Sequence, residues 1–86
     1  MICINPRAPT HLLIVSKEHI PTVRDLTEDH GSLLARMVTV GNKLADDEGI
    51  GDRGYRLTFN CGDEGGQTIY HIHLHVLGGR QLGAEG

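Results

Sequence analysis

The ten residues "YHIHLHVLGG", 70–79, restrict this chain more than any other stretch. Histidine stands at every second position, His71, His73 and His75, and Ile72, Leu74 and Val76 fill the gaps. A period of two belongs to a β-strand, whose successive side chains point to opposite faces. One face is apolar and has to be buried against another layer. The other carries a row of imidazoles. Gly78 and Gly79 end the strand.

The layer that buries the apolar face is legible upstream. Leu33, Leu34, Met37, Val38, Leu44 and Ala45 recur at helical spacing, and Arg36, Asn42, Lys43 and Asp46 fall largely on another face. Thr27 is the expected N-cap, with Glu28 and Asp29 in the first turn, and Gly49 ends the helix. "MICI" reads as the end of a strand and "NPRAP" as a turn. "THLLIVSK" is a strand with a buried centre, and "EHIPTVRDLT" is a connection broken by Pro21. In "GYRLTFN", 54–60, Tyr55, Leu57 and Phe59 face one way and Arg56, Thr58 and Asn60 the other. "CGDEGGQT", 61–68, is a glycine-rich loop. The order strand, strand, long helix, strand, strand predicts an α+β fold, an antiparallel sheet with one helix on one face. Asn60 and the histidines are then left on the other side, facing a cleft.

With 86 residues the chain is expected to form one domain, 1–86. A domain this small is marginal alone, so oligomerisation is expected. Cys3 and Cys61 are the two cysteines and read as free thiols of a reducing compartment. The net charge of −3 and the lack of any Lys/Arg run argue against duplex nucleic acid as a partner. Apolar runs such as "LLIV", 12–15, are too short to span a membrane, and nothing at the N-terminus reads as a targeting segment. The expected location is cytoplasmic.

The rise of a strand, roughly 3.3 Å per residue, puts the outer two histidines about 13 Å apart. Three imidazoles of one straight strand do not readily share one metal ion, whose bonds are about 2 Å long. The spacing instead suits a reacting centre at His73 flanked by its neighbours. Neutral imidazole is a nucleophile near pH 7 and forms a phosphohistidine when it attacks phosphorus. Adjacent imidazoles then donate to the non-bridging oxygens. The backbone at Gly65 and Gly66 is expected to approach a phosphate, and Thr68 offers a hydroxyl near the leaving group. Read alone, His11 is an ordinary surface histidine, as are His19 and His30. No metal and no cofactor are expected.

The form His71-Ile72-His73-Leu74-His75-Val76-Leu77 resembles the signature of the histidine triad family. "NPRAPTHLLIVSKEHI" and "GGQTIYHIHLHVLGGR" look like its Hint branch, the nucleoside phosphoramidate hydrolases. The resemblance implies a sheet of about five strands, here without the family's N-terminal helix and first strands, and a homodimer with joined sheets. The implied substrate is a purine nucleoside monophosphate or its phosphoramidate conjugate. His73 matches the nucleophile and His75 the residue hydrogen-bonded to the phosphate. His71 matches a member that orients His73 through its main-chain carbonyl, and His11 matches a supporting proton relay. Asn60, Gly66, Gln67 and Thr68 match phosphate and leaving-group contacts, and Ile4 matches a wall of the base pocket. Cys3 stands where the family often has an acidic residue for the ribose hydroxyls. Two other readings accompany the hydrolase: a purine-nucleotide-binding or interaction module with little turnover, and a metal-binding protein.

Overall fold

In the computed structural model, which describes residues 9–84 together with the backbone of Ile2–Cys3, four strands form one antiparallel sheet. They are β1 (Ile2–Cys3), β2 (Thr10–Val15), β3 (Tyr55–Thr58) and β4 (His73–Gly78), in the order β1-β2-β4-β3. The helix α1 (Gly31–Asp47) lies between β2 and β3 in sequence and packs on one face of the sheet. The α+β expectation holds, with four strands among the described residues where the resemblance implied about five.

Register decides which side chains share a face. Leu12 pairs with Val76, Ile14 with Leu74, and Leu57 with Val76, so these residues point together toward α1. Leu12, Ile14, Leu74 and Val76 form the core with Met37, Ala45 and Ile50, and the half-buried Leu57 packs against it. Met37, Gly41 and Ala45 are the buried residues of α1, spaced four apart, which puts them in one stripe. Gly41 sets the depth of packing. A Cβ there would stand 3.2 Å from Ile14 Cδ1 and 3.4 Å from Leu57 Cδ2. Burial of Leu74 and Val76 contributes roughly 1.5–3 kcal/mol each.

Both ends of α1 have local causes, and one differs from expectation. Thr27 does cap a turn, but that turn is a 3₁₀ segment, Glu28–His30, and the α-helix begins at Gly31. His30 Nδ1 accepts the Thr27 N–H at 2.9 Å, which tightens these four residues into the narrower turn. At the other end Gly49 takes φ +78. Its N–H donates to the Asp46 carbonyl at 3.0 Å, and the Ile50 N–H reaches the Ala45 carbonyl at 3.0 Å. This is the left-handed stop that glycine makes available, and it delivers Ile50 into the core. Regular pairing is also shorter than the alternation suggested: β3 stops at Thr58, and His71 and Ile72 precede β4.

Candidate active site

The face of the sheet away from α1 carries His11, Leu13 and Val15 from β2, His73, His75 and Leu77 from β4, and Arg56 and Thr58 from β3. Two concavities, lined among others by Arg53, Arg56 and Arg80, lie beyond the other end of β4 from His73. On the histidine face itself His71, His73 and His75 are half-buried.

On that surface the imidazoles form a chain. The rings of His11 and His75 are 5.1 Å apart and those of His75 and His73 5.0 Å. His11 Nε2 and His75 Nδ1 share a hydrogen bond of 2.9 Å. His11 is buried, whereas the three histidines of the 71–75 stretch are half-buried. His11 is thus no surface residue: the pairing of β2 with β4 carries it beneath His75, 64 positions along the chain.

His73 Nδ1 donates to the His71 carbonyl at 2.7 Å. That bond fixes the tautomer, because a neutral imidazole carries one N–H, and it leaves a lone pair on Nε2. His71 is fixed in turn. Its Nε2 donates to the Ser16 carbonyl at 2.7 Å, while the Ser16 hydroxyl is spent on the Glu18 carbonyl at 2.6 Å. The Ile72 N–H reaches the Ile20 carbonyl at 2.7 Å. Residues 16–21, which follow β2, therefore brace the entry to the histidine strand.

His19 belongs to that brace. Its ring stands edge-on to His71 at 5.1 Å, and its Nε2 donates to the Tyr70 carbonyl at 3.1 Å. Its sequence context points to a surface residue, and it is exposed, yet it borders His71. No local sequence signal marks it, because its partners lie about fifty residues away. His30 stays peripheral, 3.7 Å from the Glu18 carboxylate.

The glycine-rich loop is arranged differently from the expectation of an open phosphate cradle. The N–H groups of Gly65 and Gly66 donate within the loop, to the carbonyls of Gly62 and Asp63 at 3.2 and 3.0 Å. The Gln67 N–H donates to Gly62 at 3.0 Å. Glycine is required here by the turn itself. Gly66 takes φ +85, and a Cβ on Gly65 would lie 2.4 Å from the Cys61 carbonyl oxygen. Asn60 Nδ2 donates to the Gly65 carbonyl at 2.7 Å. Thr68 is exposed, three residues before His71 in the chain, and makes no hydrogen bond among the described residues. Tyr70 donates to the Asp63 carboxylate, which, with some burial and the charges of Asp63 and Cys61, raises its phenol above the ordinary value. Ile4 lies outside the described residues, as does the side chain of Cys3. Cys61 is free and exposed. Among the described residues no group of three or more His, Cys, Asp or Glu side chains is disposed to hold a metal ion.

A family model described as "Scavenger mRNA decapping enzyme C-term binding" matches residues 2–84. The chain is 54% identical over 80 residues to the purine nucleoside phosphoramidase of Escherichia coli strain K12, covering 93% of this chain and 67% of that protein. It is 48% identical over 79 residues to a HIT-like protein of Chlamydia pneumoniae, covering 92% and 71%. Its structure is similar to a HIT family hydrolase from Legionella pneumophila, with a TM-score of 0.87, 55% identity and 88% and 68% coverage. It is also similar to one from Clostridium thermocellum, with a TM-score of 0.90, 46% identity and 95% and 71% coverage.

Proposed function

The chain belongs to the histidine triad family, and from that premise we propose that it hydrolyses purine nucleoside phosphoramidates through a covalent nucleotidyl-His73 intermediate. The observation that carries this reading is the bond from His73 Nδ1 to the His71 carbonyl, which leaves Nε2 as the nucleophile. The Nε2 lone pair attacks phosphorus. A P–N bond to His73 forms as the P–N bond to the amine breaks. The departing nitrogen takes a proton from solvent water, relayed by the Thr68 hydroxyl, and the water that attacks in the second step returns a proton to solvent. Positive charge gathers on the His73 ring, and the His71 carbonyl stabilises it through Nδ1–H. Water then attacks phosphorus, the nucleoside monophosphate leaves, and the imidazole is restored.

His75 is the proposed donor to a non-bridging oxygen, with His11 behind it as the proton relay, since the two share a bond. Asn60 and Gly66 hold the turn that presents Thr68, and Ile4 is the proposed wall of the base pocket. No step is assigned to a metal or cofactor.

Rapid quenching with adenosine 5′-phosphoramidate labelled at phosphorus tests the reading. Label should appear on the protein within the first turnover and disappear from the His73→Ala variant. Nucleotide binding without any protein-bound label would instead indicate a binding module with little turnover.

We also propose a homodimer built on α1 and β3. Among the described residues β3 pairs only with β4, so its other edge is available to a second copy. Leu34 and Val40 are exposed large apolar residues on α1. Sedimentation at micromolar concentration should give twice the monomer mass, and a monomer there contradicts the assignment. The exposed thiol of Cys61 fits a cytoplasmic location, and no described helix is long and apolar enough to cross a membrane.

A further inference from the structure

From Cys61 to Tyr70 every residue is exposed or half-exposed except one. Gln67, in the middle of a surface loop, is only 5% exposed. A buried carboxamide has to have its hydrogen-bonding groups met, and the partners it selects reveal its role. Nε2 donates to the Pro21 carbonyl at 2.8 Å and to the Ile69 carbonyl at 3.0 Å. Oε1 accepts the Gly62 N–H at 2.9 Å. Both amide hydrogens are spent on main-chain carbonyls, and none is left for a substrate.

One side chain therefore joins three segments. The bond to Gly62, with the Gln67 N–H returning to the Gly62 carbonyl, closes the turn 62–67 into a ring. The bond to Pro21 attaches that ring to the segment whose Ser16 and Ile20 carbonyls hold His71 and Ile72. The bond to Ile69 spans Thr68, which lies between the two bonded residues. Thr68 makes no hydrogen bond of its own among the described residues. Its direction is set by its neighbours, and the buried Gln67 amide fixes them.

We propose that Gln67 is a positioning residue for the hydrolysis. It holds Thr68 in one frame with His73, through the Pro21 brace, and does not itself touch substrate. This rests on the hydrolase reading above and assigns Gln67 a different task from the substrate contact expected of it. An isosteric Gln67→Met keeps the buried volume and removes the bonds. Gln67→Glu keeps the acceptor but turns a carboxylate oxygen toward two carbonyls.

The experiment measures steady-state hydrolysis of adenosine 5′-phosphoramidate and native-state amide exchange on the same proteins. Both Gln67 variants should lose about a hundredfold in kcat, the scale expected for misplacement by about 1 Å, while KM changes by less than about threefold. In a Thr68→Ala background Gln67→Met should cost little more, because the group it positions is already gone. Amides of Gly62 and Gln67 should exchange faster in Gln67→Met, while those of β2 and β4 keep their protection and report an intact fold. A rise in KM at unchanged kcat identifies a direct substrate contact and overturns the proposal. So does an undiminished loss in the Thr68→Ala background, or exchange identical to wild type. A wild type without turnover would defeat the hydrolase reading, and amide exchange would still decide whether the latch exists.

Discussion

The two faces of β4 are built from alternate residues of one short segment, yet they are secured in different ways. Toward α1, Leu74 and Val76 are 1% and 0% exposed and are held by non-directional packing. On the other face His73 and His75 are half-buried, and each is aimed by a named hydrogen bond. Packing tolerates similar shapes, whereas aiming does not. A substitution on one face should therefore change stability and leave chemistry largely in place. The neighbouring substitution on the other face should do the reverse.

His73→Ala gives the largest effect. It should lower kcat by at least about a thousandfold, roughly 4 kcal/mol of barrier, with unfolding free energy changed by no more than about 1 kcal/mol. More than about a tenth of wild-type kcat in this variant would remove His73 as nucleophile. Leu74→Ala, one residue on, should cost about 2–5 kcal/mol of stability in urea titrations, with kcat per folded molecule within about threefold. A large loss of kcat at retained stability would mean that the faces are coupled.

Smaller effects sharpen the contrast. Tyr70 donates to Asp63 at the rim, and its phenol pKa is raised. A raised folded value makes the contribution complete below the unfolded tyrosine value of about 10, and lost as pH rises through the folded value. Tyr70→Phe should thus be slightly less stable than wild type at neutral pH, with the difference vanishing in strong base. Equal melting temperatures at pH 7 would contradict this. Thr58 Oγ1 is buried with no hydrogen-bond partner among the described residues, beside His75 in the register. Thr58→Val should accordingly be neutral or stabilising by up to about 1 kcal/mol. Destabilisation would mean that this hydroxyl has a polar partner in solution.

The contrast also explains what could be read from sequence. Alternation at 71–76 and the recurrence at Met37 and Ala45 expose packing, because packing follows periodicity. The strand, the helix and their mutual faces were legible in that way. Aiming follows contacts that periodicity does not encode. His11 and His19 look like surface histidines until β2 pairs with β4 and carries one under His75 and the other against His71. The family resemblance supplied a place for His11 and none for His19. Gly65 and Gly66 suggested a cradle, but the same glycines permit a turn that consumes its own N–H groups, and sequence does not separate the two. Thr27 marked a cap correctly, while His30, bonding back to it, delayed the α-helix to Gly31.

The distances along the chain between bonded partners set an order of assembly. The bond between His11 and His75 closes a separation of 64 residues, and that between His71 and Ser16 closes 55. Closures of this length come late, since their entropic cost precedes their reward. α1, made of contacts within a few residues, carries no such delay. During refolding the helical signal should rise first and hydrolytic activity last, with an interval between them that stopped-flow circular dichroism and activity sampling resolve. Simultaneous recovery would show that helix and site form in one step. With a lag, activity measures the completion of folding: the helix is in place before the two long closures that brace His71 and seat His75.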